Sequence, residues 1–559
     1  MPADPETLTR EYERLKAERT PWESTWDALA QTCLPAGAGI GTTGRAGQKQ
    51  TSELFDNTGL DSAAMLASHL MGSVTNFQTQ WFSLRMRQKG LNDQREVGVW
   101  LDTVGDIMHD AMASSNVPQA IHELYRMYAL MGTGCLFVDE RPIGPEGWGF
   151  SGLLTRSLPI ATYVLAEDAT GQVDTVYREL ELAPRQALQQ FGHDALAPEM
   201  RQQLEQTETR HKPMPFLHAV YPRQERSPGR DDQARMPWAS VYLDVAHQHL
   251  CSEGGYRWFP YMVPRWEKIR AWSPYGFGPG HLALPEILTL NAMDKDVLRA
   301  LRLYILPPYW TDDPDAVGRV SFLPGSVNPI GKGSRIESMR PGGDLNLARL
   351  GIEERRQRVR MAFYVDQLRA LPSPDAPGQM TAYEVAQRLA LMQRLMGPAF
   401  MRLLGEFLNP FMDVVFGLLL EARELPDPPD VVIEAALANQ GRLDVEYQGP
   451  LARAQRGEEA DAILQTLALA ERLATAKQDP SIFDNFDVDE MLRRAAKVYG
   501  VPAAILRDPA QVQAQRQARA EAQQAQRQAA ELMAGAQAAG QAAPALKALL
   551  PAAGQEVAA

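Results

Sequence analysis

Two short motifs have the residue types and spacing of cofactor-binding or catalytic sites. The run GIGTTG at 39–44 matches GxGxxG, in which glycines let the backbone approach the pyrophosphate of a dinucleotide. That role requires a strand before the motif and a helix that opens at it. A glycine-rich stretch over 34–49 surrounds the motif instead, so we interpret it as a loop. A nucleotide-binding enzyme that uses Gly39 to Gly44 is the alternative hypothesis from this motif.

The second motif, His122-Glu123, lacks the further histidine that a zinc-protease helix needs. The three cysteines, at 33, 135 and 251, lie far apart and form no CxxC pair, which argues against a disulfide framework and against a cysteine zinc site. The sequence also lacks the phosphate-binding P-loop motif and the nucleophile-elbow motif. We therefore predict no catalytic residue, no cofactor and no metal, and a protein that is not an enzyme.

Arginine is concentrated on two predicted helices in the middle of the chain. Arg349, Arg355, Arg356, Arg358 and Arg360 lie on the second of these helices, and Arg299 and Arg302 lie on the first. One interpretation is a solvated helix face whose arginines pair with Glu353, Glu354 and Asp296, and such surface pairs contribute little stability. The other is that some guanidinium groups face a channel or cross a subunit boundary, because their planar geometry suits interface ion pairs.

The composition of the whole chain limits how it could bind nucleic acid or a membrane. The 559 residues carry a net charge of −13, whereas proteins that hold DNA through its phosphates usually present a basic face. We therefore expect any DNA contact to be local or loose. The length corresponds to about three or four compact units. The longest apolar run, Phe411–Leu420, is too short to span a bilayer, so we predict no membrane segment.

An aromatic cluster between 258 and 277 allows two interpretations. It contains Trp258, Phe259, Tyr261, Trp266, Trp272, Tyr275 and Phe277, with Arg257, Arg265, Lys268 and Arg270 nearby. Aromatic rings beside basic residues can stack on the bases of single-stranded nucleic acid. The prolines and glycines between these rings favour core and turn packing instead.

The hydrophobic periodicity of the first half predicts a mixed α+β chain that is predominantly helical. Helices are predicted over 8–29, 56–71, 96–114 and 119–131, strands at 81–86 and 135–138, and an α+β region over 150–265. Thr20-Pro21 is expected to break the first helix, because proline removes a backbone donor.

In the second half the pattern predicts two long helices with an insert between them. The helices span 284–306 and about 344–371, and the insert contains strand-like stretches at 320–323 and 335–338. After a turn-rich loop, Thr381 and Glu384 form a capping box that opens a helix to about residue 424. Gly397-Pro398 is expected to kink this helix.

The last part of the chain is predicted to be mostly helical. An extended piece at 431–434 precedes helices over 458–476 and 488–498. After Pro509 the composition changes to Ala and Gln with scattered Arg, which are strong helix formers with little to bury. This segment is therefore either a frayed tail or one helix of a bundle that is assembled from several copies of the chain.

Four segments together resemble one protein family, the head-to-tail connector or portal proteins of short-tailed bacteriophages. They are FDNTGLDSAAMLASHLMGSVTNFQTQWFSLRM at 55–86, PYMVPRWEKIRAWSPYGFGPGHLALPEILTLNAMDKDVLRA at 260–300, MTAYEVAQRLALMQRLMGPAFMRLLGEFLNPFMDVVFGLLLEARELP at 380–426 and VEYQGPLARAQRGEEADAI at 445–463. They occur in the family's order and span most of residues 8–500. The glycine-rich loop and the segment after Pro509 lie outside the resemblance.

The resemblance implies a portal fold with distinct parts. The parts are an α+β wing at 1–280 to which 425–450 return, a helical stem at 281–306 and 344–371, a small β-containing clip at 307–343, a tunnel loop at 372–380, a kinked wing helix at 381–424, a helical crown at 451–508 and a barrel-like or flexible helical tail at 509–559.

The resemblance also implies a function and partners. It implies a ring, expected to be dodecameric, at one capsid vertex, through which double-stranded DNA enters during packaging and leaves during ejection. The implied partners are the large terminase, the head-to-tail adaptor and the major capsid and scaffolding proteins. The implied location is the virion, after assembly in the host cytoplasm. Another phage ring or adaptor protein is the alternative within this class.

Three groups of residues are candidates for the roles that the resemblance implies. The candidates for facing DNA in the channel are Arg355, Arg358, Arg360, Arg369 and Gln379. The candidates for docking at the clip are Lys332, Arg335 and Glu337. The candidates for a structural role around the kinked helix are Thr381, Glu384, Gly397 and Pro398.

Overall fold

The structure, a computed structural model, confirms the predicted fold class, which is mixed α+β and predominantly helical. The residues that it describes are 4–34, 53–78, 80–141, 150–223, 236–269, 273–305, 307, 309–312, 333, 335–338, 345–369, 396–438, 445–448, 450–477, 483, 485–498, 505, 507 and 509–548.

The helices of the described residues cover the following segments. They are α1 (Pro5–Cys33), α2 (Thr58–Val74), α3 (Arg95–Ala113), α4 (Val117–Met131), α5 (Pro184–Phe191), α6 (Pro198–Glu205), α7 (Pro279–Ile305), α8 (Leu345–Ala362), α9 (Val365–Arg369), α10 (Met396–Glu421), α11 (Asp430–Ala438), α12 (Pro450–Lys477), α13 (Val488–Val498) and α14 (Pro509–Ala548).

The strands form antiparallel sheets. They are β1 (Ser83–Met86), β2 (Leu136–Glu140), β3 (Leu153–Ser157), β4 (Tyr163–Glu167), β5 (Val173–Leu182), β6 (Met214–Pro222), β7 (Trp238–Asp244), β8 (His249–Tyr256), β9 (Tyr261–Met262), β10 (Tyr309–Thr311), β11 (Ile336–Ser338) and β12 (Val445–Gln448). The largest sheet has the order β4-β5-β6-β7-β8, and a smaller one has the order β3-β2-β9. Two further ladders join β1 to β12 and β10 to β11.

Local sequence signals set the ends of the helices that build the core. The Asp4 carboxylate accepts a hydrogen bond from the Thr7 backbone N–H (3.2 Å), and Pro5 occupies the first helical position of α1. Helix α4 ends at Gly132, whose φ of 68° lies in the left-handed region that glycine adopts without strain.

One large hydrophobic cluster joins the helices to the β3-β2-β9 sheet. Its fully buried members include Trp26 of α1, Tyr125 of α4, Phe363 after α8 and Phe407 of α10. Two smaller clusters involve strands of the five-stranded sheet, one with the first turns of α1 and one with α5 and α6. The helices α1, α4, α7, α8 and α10 therefore share one core.

The break predicted at Thr20-Pro21 is wrong, because α1 runs unbroken through Pro21. The Thr20 hydroxyl donates to the Lys16 carbonyl in the turn before the proline (3.1 Å). Trp26 and Leu29, in the following turns, are fully buried. Packing against the core therefore offsets the backbone hydrogen bond that proline removes.

The extended piece predicted at 431–434 is also wrong, because α11 covers these residues. The run of β-branched side chains resembles a strand, but Pro429 provides a helix start at which Val432 N–H donates to the Pro429 carbonyl (2.8 Å). Val432 is fully buried in the main core. Burial of one face of the helix has overridden the preference of these β-branched residues for a strand.

The helix predicted over 344–371 is divided into α8 and α9. The break lies at Phe363 and Tyr364, and Tyr364 has a φ of 57°, which is rare for a large side chain. Its ring stacks on that of Trp266 at a centroid distance of 6.2 Å, while Phe363 is fully buried. Tertiary packing on both residues stabilises the break.

Helix α10 contains a π-helical segment at Leu404–Leu408, which ends two residues before Pro410. Proline lacks the N–H that would bond the carbonyl four residues earlier, and a wider turn accommodates this loss. The kink predicted at Gly397-Pro398 lies at the edge of the described residues and stays a prediction.

Among the described residues, α10 is also the helix that is long and apolar enough to cross a membrane, with a mean hydropathy of 1.6. Half of that window is buried, as in the core helix of a soluble protein, and Phe407 and Phe411 are fully buried. We therefore assign α10 to the core.

Below about pH 6.5 we expect the fold to lose stability because of His218, which is fully buried at the centre of the five-stranded sheet. Its ring nitrogens lie 2.8 Å from the Tyr261 hydroxyl and 3.0 Å from the Ser240 hydroxyl, and its ring stacks on Tyr242. Burial, followed by the charge of Arg178, lowers the pKa of His218 to about 3.

The sign of this effect follows from proton binding. Between about pH 6.5 and pH 3 the unfolded chain holds a proton on His218 that the folded chain excludes, so stability falls by about 1.4 kcal/mol per pH unit as the pH is lowered. Urea unfolding at pH 7 and pH 5 measures this slope. Glutamine cannot titrate, so in the His218→Gln variant stability should fall less steeply as the pH is lowered, by about 1.4 kcal/mol per pH unit, the contribution of one proton. An unchanged slope would show that His218 is not the source of the pH dependence.

Candidate functional site: the α7–α8 helix pair and its base

Helices α7 and α8 form an antiparallel pair that extends from the core toward the β10–β11 ladder. Glu286 of α7 faces Arg355 and Arg358 of α8, with nearest N–O distances of 2.6 and 3.3 Å. Further along, the terminal methyl of Met293 lies 3.4 Å from the position that a Cβ would occupy on Gly351. A Cβ at Gly351 would therefore make an ordinary van der Waals contact with Met293.

The three predicted channel arginines of α8 are all paired within the chain. Arg355 binds Glu286, Arg358 binds Glu286 and Glu354 (2.6 Å), and Arg360 binds Glu353 (2.9 Å). The pairs with Glu353 and Glu354 were predicted, whereas Glu286 on the other helix was not. Arg299 of α7 likewise binds Asp296 (3.2 Å), as predicted.

These ion pairs reduce the charge that α8 presents to a ligand. Burial alone would raise the pKa of Glu286, but hydrogen bonds from Arg355 and Arg358 outweigh it and lower the pKa. The carboxylate is therefore ionised at neutral pH and neutralises part of the arginine charge. The role of these arginines in facing DNA stays a prediction.

A second ion cluster fixes the segment before α2 against the helix pair. Arg356 donates to Asp56 and to Asp294, both at 3.0 Å. Burial raises the pKa of Asp294, and Arg356 offsets this only in part. On α7, Asn291 accepts from Phe55 N–H (2.7 Å). Arg356 could be recognised in the sequence but its partners could not, because Asp56 and Asp294 lie 300 and 62 positions away and no spacing rule links them to Arg356.

The base of the helix pair is a backbone crossing built from four glycines, which we call the anchor glycines: Gly132, Gly276, Gly278 and Gly280. A Cβ on Gly278 would lie 2.7 Å from the Gly132 Cα, and a Cβ on Gly280 would lie 2.9 Å from the Leu130 Cα. Side chains cannot be accommodated at these distances. The end of α4 and the start of α7 therefore touch through bare backbone.

A buried arginine, Arg265, connects three further elements beside this base. Its side chain is 2% exposed and donates to Glu406 of α10 (2.7 and 3.1 Å), to the Gly171 carbonyl (3.0 Å) and to Glu167 of β4. Lys268 also binds Glu167 (2.5 Å). We call this set of side chains the Arg265 network. It ties the five-stranded sheet to α10 at the π-helical turn.

Part of the aromatic cluster at 258–277 packs in the core: Tyr261, Trp266 and Tyr275 are buried, Trp258, Phe259 and Phe277 are partly buried, and Trp272 lies outside the described residues. Trp266 lies against Tyr128 at a centroid distance of 5.0 Å, and Tyr275 lies against Trp26 at 5.1 Å. These rings are buried and present no face on which a base could stack. The core interpretation is confirmed for them.

The other candidate residues lie at the edges of the described chain or outside it. Arg369 is the last residue of α9, and the exposed Arg335 donates its backbone N–H to Asp312 (2.8 Å). Glu337 lies in β11, in register with the exposed Trp310 of β10. Gly397 and Pro398 lie in the first turn of the described part of α10. Outside the described residues are Lys332, Gln379, Thr381, Glu384, the GIGTTG motif and the strand-like stretch 320–323.

No group of three or more potential metal ligands occurs among the residues that the structure describes. The three cysteines are buried and unpaired, and burial raises the pKa of the Cys135 thiol well above its usual range. A thiol of this kind is inert as a nucleophile.

These features define a class of protein that is built around a projecting helix pair with a two-stranded tip. The model of the family described as bacteriophage head to tail connecting protein matches residues 5–506. The chain therefore belongs to the bacteriophage head-to-tail connecting protein family.

Individual relatives carry more specific names. The portal protein of Salmonella phage epsilon15 is 29% identical over 523 residues, which cover 92% of this chain and 90% of the relative. The probable portal protein of Bordetella phage BPP-1 is 29% identical over 513 residues, which cover 89% and 88%.

Solved structures of gene transfer agent particles also match the chain. The native virion gives a TM-score of 0.32 at 13% identity, covering 79% of this chain and 95% of the other. The neck of the empty particle gives 0.32 at 12% identity, covering 78% and 94%.

Proposed function

We propose that this chain is a phage portal protein, which assembles as a ring at a capsid vertex and encloses a channel for double-stranded DNA. The observation that carries the proposal is the family match over residues 5–506. Two portal relatives of nearly the same length support it. In this proposal the chain makes and breaks no covalent bond, and the ring is dodecameric.

The described elements correspond to the parts of a portal in the following way. The core around α1–α4 and the sheets is the wing, to which residues 425–450 return, as supported by the pairing of β12 with β1. The α7–α8 pair is the stem, and the β10–β11 ladder belongs to the clip. We assign α12 and α13 to the crown and α14 to the helical tail, and we assign residues 372–380, which lie outside the described part of the chain, to the tunnel loop.

The partners in this proposal are the large terminase and the head-to-tail adaptor at the clip, with the major capsid and scaffolding proteins around the wing. Arg335, Glu337 and Lys332 are the clip residues that we expect to contact the terminase or the adaptor. The exposed Trp310 beside Glu337 supports this, because exposed tryptophan is enriched at protein interfaces. Assembly takes place in the host cytoplasm and the finished ring lies in the virion.

A channel through which DNA slides should not hold its phosphates tightly. Each phosphate that the protein neutralises adds salt-dependent affinity, and therefore resistance to movement. The net charge of −13 per chain and the internal pairing of Arg355, Arg358 and Arg360 both support weak contact. We expect the purified protein to bind linear duplex DNA weakly at physiological salt.

Freeing the stem arginines should strengthen DNA binding. The triple substitution Glu286→Gln, Glu353→Gln and Glu354→Gln removes the carboxylates that pair with Arg355 and Arg358, and leaves Arg360 only its contact with Asp366 (3.5 Å) among the described residues. Binding is measured by fluorescence anisotropy at several salt concentrations. The slope of log K against log salt concentration should become more negative by about one for each phosphate that is newly contacted.

The matched control for this experiment is Glu11→Gln with Glu18→Gln, which frees Arg14 on the exposed face of α1. This control should leave the salt dependence of DNA binding almost unchanged. Tight binding by the unsubstituted protein, or equal effects of the two sets of substitutions, would contradict the proposed channel role of α8.

A further inference from the structure

Two carboxylates and one arginine form a mostly buried cluster where the segment before α2 meets the helix pair. The side chain of Asp56 is 6% exposed and that of Asp294 is 15% exposed. Arg356 of α8 donates to both of them. We call these three residues the Asp56–Asp294 cluster. It joins three elements: the segment before α2, α7 and α8.

The two carboxylates lie close to each other because they share one nitrogen of Arg356. The Nη2 atom lies 2.9 Å from Oδ2 of Asp56 and 3.0 Å from Oδ2 of Asp294. The two oxygens therefore cannot be more than about 6 Å apart, a distance at which two like charges disfavour each other.

A single arginine neutralises only one of these two carboxylates. When both are ionised, the cluster has one surplus negative charge. Glu353 of α8, 4.0 Å from Nη1 of Arg356, adds to it. Lys295 of α7 is bound by Glu53 of the segment before α2 (2.5 Å), and Asp61 in the first turn of α2 is exposed. The surplus charge is therefore held where water has little access.

The titration of Asp294 reflects this arrangement. Burial, the largest cause, raises the pKa of Asp294, and the charge of Arg356 lowers it. The charge of Asp56 and a hydrogen bond with Asp56 raise the pKa again, so that it stays above its ordinary value. Two carboxyl groups can form a hydrogen bond only when one of them carries a proton.

We propose that Asp56 and Asp294 share one proton in mildly acidic solution, and that this proton strengthens the attachment of the segment before α2 to α7 and α8. With the proton in place, one carboxyl group donates to the other, and Arg356 balances the remaining charge. Without it, two carboxylates compete for one arginine. The proton belongs to the pair and not to either residue alone. This inference does not depend on the proposed function.

The pH dependence that the cluster contributes has the opposite sign to that of His218. A carboxyl group whose pKa is raised by folding holds a proton at a pH at which the unfolded chain has lost it. Stability from the cluster therefore increases as the pH is lowered through the folded pKa, and the gain is complete below the unfolded value of about 3.9. The attachment is weakest at neutral pH.

Replacing Asp294 by asparagine tests the proposal, because the amide resembles the protonated carboxyl group. It can donate to Asp56 while its oxygen accepts from Arg356. The urea midpoint of Asp294→Asn should lie above that of the unsubstituted protein at pH 7, and the difference should shrink toward pH 4. Each unit by which folding raises the pKa of the pair corresponds to a tenfold change in the ratio of folded to unfolded protein. Comparison at equal pH cancels the contribution of His218.

A double variant and an exposed control complete the experiment. Asp56→Asn with Asp294→Asn removes both carboxylates that bind Arg356 in the cluster, so its midpoint at pH 7 should fall below that of the unsubstituted protein. The control is Asp296→Asn, on the same helix, where the side chain is 72% exposed and pairs with the exposed Arg299. This substitution should change the midpoint little at either pH.

The results distinguish a shared proton from a purely structural ion pair. A gain in stability for Asp294→Asn at pH 7 that shrinks at pH 4, together with a loss in the double variant, would support the shared proton. A loss for Asp294→Asn at pH 7 would overturn it, because Arg356 would then require both carboxylates. A difference of the same size at pH 7 and pH 4 would also overturn it, because no proton would be involved.

Discussion

Replacing Gly280 by alanine is expected to lower the free energy of unfolding by about 3 kcal/mol or more. The new Cβ would lie 2.9 Å from both the Cα and the carbonyl carbon of Leu130, distances that only movement of the backbone can relieve. Overpacking in a well-packed core typically costs about 1–3 kcal/mol, and a clash with backbone lies at the upper end. Urea unfolding followed by tryptophan fluorescence measures the loss.

The control for this substitution is Gly72→Ala in α2. A Cβ there meets nothing within 4 Å, and alanine is the better helix former by about 1 kcal/mol. Gly72→Ala should therefore leave stability unchanged or raise it slightly. Equal stability of the two variants would contradict the close crossing of α4 and α7 at the anchor glycines.

Replacing Arg265 by methionine is expected to cost about 3–5 kcal/mol of stability, because it removes one partner of a buried ion network. The substitution removes the cation that Glu167 and Glu406 share, and among the described residues their remaining ion pairs are with Lys268 and Arg402. It also leaves the Gly171 carbonyl without its donor. The same unfolding measurement gives the size of the effect.

An exposed ion pair at the C-terminal end of α10 supplies the comparison for Arg265. Arg257 binds Glu421 at 3.2 Å, on the same helix as Glu406, with both side chains about half exposed. Exposed pairs contribute about 0–1 kcal/mol, so Arg257→Met should have little effect. A cost for Arg265→Met no larger than that for Arg257→Met would show that the Arg265 network does not hold the sheet to α10.

The anchor glycines and the Arg265 network together explain how the helix pair is held on the core. Gly276 and Arg265 are in direct contact, since a Cβ on Gly276 would lie 3.0 Å from that of Arg265. The Arg265 network consists of buried ion pairs and hydrogen bonds, which are stronger where water is excluded, and the anchor glycines add close backbone packing. Together they attach the α7–α8 pair firmly to the core, which the proposed portal stem would require.

The long helices could be predicted from the sequence because their periodicity extends over many turns. Helix α7 and most of α8 follow this rule. The prediction failed where tertiary packing decides the structure, at the unbroken Pro21, at the helical 431–434 and at the break before Tyr364. In each case a fully buried neighbour, Trp26, Val432 or Phe363, stabilises a backbone that local preference disfavours.

The site was predictable only in part. The arginines of α8 and their partners one or two turns away follow from helical spacing, but Glu286 does not, because it lies on another helix. Glu406 is separated from Arg265 by 141 residues, and no spacing rule links them. The glycines of GFGPGH at 276–281 mark a close backbone approach, but the sequence does not show that Gly132 is what they approach.

The most direct test of the portal assignment is negative-stain electron microscopy of the purified full-length protein. We expect end-on views with a central hole and rotational symmetry, built from copies of the 62.0 kDa chain. Compact particles of a single chain, with no central hole at any protein concentration applied to the grid, would contradict the assignment.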